Sequence, residues 1–192
     1  MSRGIVVITG VPGSGKTTVV KRALEELQKS GIQYEVINYG DVMLELMREK
    51  LGITHRDDMR KIGTEVYRGI QRDAGRRIAE IAKQRPVIVD THCLVKKPEG
   101  YYPGLPLWVL QELNPDVLVI VEATPAEISR RRTLDADRKR DMEMEKEIAE
   151  HQELNRATAM AYAAISGAAV KIIENHDDKL EEAVADMVSV LR

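Results

Sequence analysis

Residues Gly10-Val11-Pro12-Gly13-Ser14-Gly15-Lys16-Thr17 have the spacing G-x-x-x-x-G-K-T and follow an apolar run, Ile5-Val6-Val7-Ile8. The run is short and β-branched throughout, as a strand buried on both faces of a parallel sheet should be. From Thr17 to Ser30 the apolar residues Val20, Ala23, Leu24 and Leu27 return at helical spacing. The motif thus sits in the strand–loop–helix context that its chemistry requires. Glycines let the backbone curl until successive N–H groups converge on phosphate oxygens, and the new helix adds the positive end of its dipole. Gly10, Val11, Pro12, Gly13, Ser14, Gly15, Lys16, Thr17 and Thr18 are therefore expected to hold the phosphates of a nucleoside triphosphate. Lys16 would reach the β- and γ-phosphates, and the Thr17 hydroxyl would ligate Mg²⁺.

Further strands are expected at Tyr34–Asn38, Val87–Asp90, Val117–Val121 and Val170–Ile173, with helical pattern between them. Alternation of this kind predicts an α/β chain, a three-layer α/β/α P-loop NTPase with a five-stranded parallel sheet. Its 192 residues suit one such domain, 1–192. A helical insertion over 39–84 is expected to form an arm. There Met59, Ile62, Val66, Ile70, Ala74, Ile78 and Ile81 recur at spacings of three and four, predicting one continuous core stripe. Arg68, Arg72 and Arg76 lie off that stripe and read as a solvated face pairing with Glu80. A later helix is predicted over 141–166, and Asp178 is expected to open a terminal one.

With 43% hydrophobic and 31% charged residues the chain reads as a soluble globule, and its net charge of −2 gives no global basic field. No nucleic-acid partner is expected, and no membrane partner either, since no apolar stretch approaches the length of a span. The single cysteine, Cys93, fits a reducing, cytoplasmic setting and reads as a small buried side chain.

The strand Val87-Ile88-Val89-Asp90 ends in a carboxylate, so Asp90 is the second expected Mg²⁺ group beside Thr17. Residues 91–106 carry three prolines and two glycines and predict a structured loop at the edge where open α/β sheets bind ligands. His92, Lys96 and Lys97 lie in that loop. Six basic residues fall within the eleven positions 130–140. They suit a short arginine-rich lid, about 130–141, closing over a transferring phosphoryl group. Asn38-Tyr39-Gly40-Asp41 ends the second strand at the same edge, and Arg60 opens the arm's long helix beside it.

Gly-Val-Pro-Gly-Ser-Gly-Lys-Thr, Asn-Tyr-Gly-Asp, Arg-Asp-x-Met-Arg-Lys, Asp-Thr-His and Gly-Tyr-x-Pro-Gly-Leu-Pro together resemble the archaeal type of adenylate kinase, essentially end to end. That resemblance implies Mg²⁺-dependent exchange, ATP + AMP ⇌ 2 ADP, in the cytoplasm by a homotrimer. It implies Arg60 and Lys96 as contacts of the AMP phosphate, with Tyr39, Gly40 and His92 completing the AMP site. Arg138 and Arg140 are implied as lid arginines acting with Lys16 in catalysis. The Asp-Gly-x-Pro-Arg of the more widespread adenylate kinases is replaced by Asp90-Thr91-His92, which leaves Lys96 as the substitute for a missing arginine. A kinase of another acceptor is the nearest alternative reading, and a non-enzymatic ATP-dependent module the more distant one. A GTPase is disfavoured because no Asn-Lys-x-Asp occurs and Asp90 is not followed by x-x-Gly.

Overall fold

A computed structural model describes residues 4–55, 58, 62–134 and 145–192. The central sheet contains β1 (Ile5–Thr9), β2 (Glu35–Asn38), β3 (Val87–Asp90), β6 (Val117–Glu122) and β7 (Ala169–Glu174). They run parallel in the order β2-β3-β1-β6-β7. Alternation along β1 sends Ile5 and Val7 to one face and Val6 and Ile8 to the other, so every position meets a core. The second of these faces is covered by α1 (Lys16–Gln28) and α7 (Leu180–Leu191). The first is covered by α2 (Tyr39–Leu51), α3 (Thr64–Ala82), α4 (Leu107–Leu113) and α6 (Glu145–Ser166). The five-stranded α/β/α expectation is met. Burial of each branched side chain in these layers contributes on the order of 1.5–3 kcal/mol.

Several local expectations need correction. The loop after Asp90 contains an antiparallel hairpin of β4 (Leu94–Lys97) and β5 (Gly100–Pro103), in which Val95 faces Tyr102 and Lys96 faces Tyr101. Val66 does not belong to the core stripe: it is 46% exposed, because the first turn of α3 presents Tyr67 inward instead. Met59 lies outside the described residues. Arg76 pairs with Glu112 at 2.6 Å rather than with Glu80, since α4 packs across α3 and carries Glu112 to it. Glu80 pairs with Lys83. The terminal helix starts two residues after Asp178, whose φ of 61° excludes it from a right-handed helix.

One surface network ties the turn after β7 to α5 (Pro125–Leu134). Thr124 and Glu127 form a reciprocal capping box: Glu127 Oε2 accepts from Thr124 N at 2.8 Å, and Thr124 Oγ1 accepts from Glu127 N at 3.2 Å. Glu127 Oε1 also accepts from Asp177 N at 2.7 Å, while Oε2 lies 3.0 Å from His176 Nδ1. Burial pushes the Glu127 carboxyl up, but these donors outweigh it and hold it well below the carboxylate range. The same contact, Glu127 first and Glu174 second, raises His176 above its ordinary 6.5.

A raised imidazole contributes stability that is complete below its unfolded value and is lost as pH rises through its folded value. Thermal midpoints measured from about pH 6 to about pH 8 should therefore fall in the native chain, with His176→Gln flattening that slope. An unchanged slope in the variant would place the dependence elsewhere.

Candidate active site

Three strand ends build the site. β1 and β3 pair with Ile8 opposite Asp90, and β2 pairs with β3 so that Asn38 is also opposite Asp90. The phosphate loop, the carboxylate and the turn into α2 thus leave the sheet at one edge, the ligand-binding edge of open parallel sheets.

The loop closes on itself through Ser14 N donating to Val11 O at 3.1 Å, and α1 begins with Thr18 N and Val19 N donating to Gly15 O. Gly10 crosses so near β6 that a Cβ there would stand 2.5 Å from the Val121 carbonyl oxygen. No larger residue fits without moving the strand. Lys16 folds back against Asp90 Oδ1. Burial pulls its ammonium down to about 8, which leaves it mostly protonated at neutral pH. Asp90 Oδ2 in turn accepts from Asn38 Nδ2 at 3.4 Å.

Lys16, Thr17 and Asp90 line one cavity of about 240 Å³ whose apolar wall is Ile8, Val20, Leu24 and Val36. Thr17 and Asp90, which border that space, carry a hydroxyl and a carboxylate, the hard oxygen donors that Mg²⁺ requires. Among the described residues no three His, Cys, Asp or Glu side chains gather into a metal cage. The pair therefore fits an ion completed by phosphates and water rather than an all-protein site.

At the end of β2, Asn38 caps α2 by accepting from Asp41 N at 3.2 Å, which places Tyr39 and Gly40 in the first helical turn. The Tyr39 ring is buried and its hydroxyl donates to Gln71 O at 2.7 Å. What it offers a ligand is backbone rather than ring. His92 is exposed, directly after the strand end. Lys96 projects from β4 and pairs with Glu147 of α6 at 2.9 Å. Cys93 is buried, with its thiol on Asn155 O at 3.4 Å and its titration pushed up to about 12 by burial, so it is inert packing. Arg60, Arg138 and Arg140 lie outside the described residues.

Of the arginines at 130–132, Arg131 and Arg132 reach carbonyls of the loop, whereas Arg130 reaches Asp177. Arg130 and Arg131 both reach Asp177, and Arg132 Nε donates to Pro12 O at 2.7 Å. Asn175 was not singled out by sequence, yet its amide donates to Ser14 O at 2.9 Å from a buried position. Nothing local to Glu174-Asn175-His176 signals such a role; it emerges only when β7 is laid beside β6. Gln152 and Arg156 are likewise revealed by packing. Gln152 brackets Ala123, accepting from its N at 3.4 Å and donating to its O at 3.0 Å. Arg156 grips buried Glu122 through Nε at 2.9 Å. Together they moor α6 to the end of β6.

A family model described as an AAA domain matches residues 9–149. Among solved structures, a shikimate kinase from Bacteroides thetaiotaomicron superposes with a TM-score of 0.55 at 16% identity, covering 97% of each chain. A sugar kinase from Janibacter does so with a TM-score of 0.57 at 14% identity, covering 100% of this chain and 95% of that one. These likenesses establish the fold. The adenylate kinase of Methanopyrus kandleri is 55% identical over 98% of this chain and 97% of its own length. That of Methanocaldococcus jannaschii is 50% identical over the whole of both chains, and that of Methanothermobacter thermautotrophicus 51% over 97% and 98%. No helix among the described residues is long and apolar enough to cross a membrane. With half its positions shared over full length with these archaeal proteins, and with a phosphate loop and a strand-end carboxylate at one sheet edge, the chain belongs to the adenylate kinase family.

Proposed function

We propose that this chain catalyses the reversible, Mg²⁺-dependent transfer of the γ-phosphoryl group of ATP to AMP, giving two ADP. The observation that carries the reading is the convergence of Lys16, Thr17 and Asp90 on one cavity beside the turn at Asn38–Gly40. An acceptor phosphate is already ionised at neutral pH, so no general base is required. Catalysis reduces to alignment and charge neutralisation.

Residues 10–18 hold the donor phosphates, and Lys16 meets the β- and γ-phosphates. Thr17 and Asp90 would hold a Mg²⁺ ion, which would supply charge neutralisation of those phosphates. Lys16 and Asp90 neutralise each other in the ligand-free chain, and a phosphate is the stronger partner for the ammonium. Arg60 and Lys96 hold the AMP phosphate beside Tyr39, Gly40 and His92, an assignment supported by family membership and, for the segment entering β4, by Cys93 N donating to Thr9 Oγ1 at the end of β1 at 2.7 Å. Lys96 then exchanges its exposed Glu147 partner, a weakly held surface pair, for the ligand. Arg138 and Arg140 close over the transferring group and exclude water. Nothing in this chemistry requires a membrane, and the reduced, buried Cys93 suits a cytoplasmic setting.

The family resemblance gives a homotrimer, and the outer face of α6 supports self-association. Ala157, Met160, Ala161, Ala164 and Ile165 repeat there at spacings of three and four, with Met160 60% and Ile165 57% exposed. Met160→Glu should therefore shift the sedimenting species toward monomer, whereas an unchanged sedimentation profile would remove α6 from the interface.

Assay of ADP formation from ATP with each nucleoside monophosphate in turn tests the activity. AMP-dependent ADP formation is expected, and slow AMP-independent hydrolysis alone would overturn the reading. Lys16→Ala should lower kcat by about 10²–10³ with the fold retained. Arg60→Ala should raise the KM for AMP by about tenfold or more, the worth of one charged hydrogen bond, and leave that for ATP within about twofold. Equal rises for both substrates would argue against an acceptor role.

A further inference from the structure

The carbonyl groups of the phosphate loop are held from its outer side by residues remote in sequence. Ser14 O accepts from Asn175 Nδ2 at 2.9 Å and from Arg131 Nη1 at 3.5 Å. Pro12 O accepts from Arg132 Nε at 2.7 Å. In a planar trans peptide the carbonyl and the next N–H point in opposite directions. Fixing Ser14 O toward Asn175 therefore turns the Gly15 N–H away from it, to the concave side of the loop. Fixing Pro12 O toward Arg132 turns the Gly13 N–H the same way. Those are donors on which an anion-binding loop depends.

The holding groups are themselves fixed. Arg131 Nη2 donates to Asn175 O at 2.8 Å, and Arg131 also grips Asp177 Oδ1 through Nε at 3.0 Å and Nη2 at 2.7 Å. Asp177 takes Arg130 as well, and its backbone is tied to Glu127. Asn175 is only 6% exposed and occupies the space that a side chain at residue 15 would fill. A Cβ on Gly15 would stand 2.2 Å from its Nδ2. Gly15 thus serves twice, adopting φ 83° and letting the Asn175 amide in beneath the loop.

We propose that Asn175, Arg131 and Arg132 are positioning residues that set the peptide planes of the phosphate loop, so that Gly13 and Gly15 present their N–H groups to a triphosphate before it arrives. The role rests on the reading of residues 10–18 as the donor site. It divides the basic run 130–140: Arg131 and Arg132 shape the cradle from behind and touch no transferring group.

Binding of inorganic tripolyphosphate, which reads the loop without base or ribose, separates this role from its rivals. Asn175→Leu removes the side-chain donor at similar size without adding charge, and Asn175→Asp, which also places a carboxylate behind the loop, is its comparison. Affinity for tripolyphosphate and for ATP should fall together, by about tenfold, while the KM for AMP stays within about twofold. The Gly15 amide resonance of the ligand-free chain should also shift. Loss of ATP affinity with tripolyphosphate unaffected would make Asn175 a base or ribose contact and overturn the proposal, as would unchanged binding of both in a folded variant. Arg132→Ala, which releases Pro12 O, provides the same comparison at the Gly13 amide if Asn175→Leu does not fold. A wild-type chain that binds tripolyphosphate but fails to phosphorylate AMP would reject the kinase reading and leave this one standing.

Discussion

The pairing of β1 with β3 is the constraint on which the remainder of the site depends. Because the two strands run parallel with Ile8 opposite Asp90, the backbone that becomes the phosphate loop and the carboxylate that accompanies it leave the sheet side by side. A parallel sheet needs a crossover helix for every return, so all its strand ends of one sense collect along one edge. β2 joins on the far side of β3 and adds the Asn38 turn; β6 joins on the near side of β1 and adds Glu122. A one-residue slip at β1 would turn Val6 and Ile8 toward the opposite core layer and carry Asp90 away from Lys16. Packing on both faces thus enforces the register that places the chemistry.

Without ligand, the charges at this edge neutralise one another locally. Lys16 meets Asp90, Lys96 meets Glu147, Arg131 meets Asp177 and Arg156 meets Glu122. The pairs differ in what they can release. Lys96 and Glu147 are both well exposed, so parting them costs little in water. Glu122 is buried, and removing its arginine would leave an uncompensated carboxylate, so that pair moors α6 rather than yields. Lys16 stands between these cases: it is largely buried and keeps its charge at neutral pH, and either Asp90 or a phosphate can face it. Exchangeable pairs face the ligand edge, and fixed ones hold the elements that frame it.

Strand positions and the donor loop were legible because their signals are local. Ile5-Val6-Val7-Ile8, the glycine spacing and Asp90 at the end of Val87-Ile88-Val89 each state their role within a few residues. The hairpin at 94–103 was hidden by three prolines and two glycines that read equally well as irregular loop. Val66 fitted the helical period but not the environment, since periodicity fixes which residues share a face and not how far a neighbouring helix extends over it. The arginines at 130–132 were legible as a cluster and misleading as to target. Their partners, Asp177, Asn175 and Pro12, are between 44 and 120 residues distant; the parallel placement of β7 beside β6 brings in Asn175 and Asp177, and that of β1 beside β6 brings in Pro12.

That placement also answers a problem inherent in any phosphate loop. Convergent N–H groups are parallel dipoles crowded on one side of the chain, and they repel one another until an anion arrives. The carbonyls are their other ends, necessarily turned outward. Cationic or amide donors set against those carbonyls stabilise the outward ends and so lower the cost of the curl before any ligand is present. Guanidinium groups suit this task because their planar donor forks can meet a carbonyl and a carboxylate at once, as Arg131 does with Asn175 O and Asp177. Asp177 in turn offsets part of the charge that two arginines concentrate there. What the loop needs from behind is directed hydrogen bonding with little net field; what it needs in front is positive charge. Lys16 supplies that charge from within the loop, and the chain separates the two requirements by placing them on opposite sides of the same peptide planes.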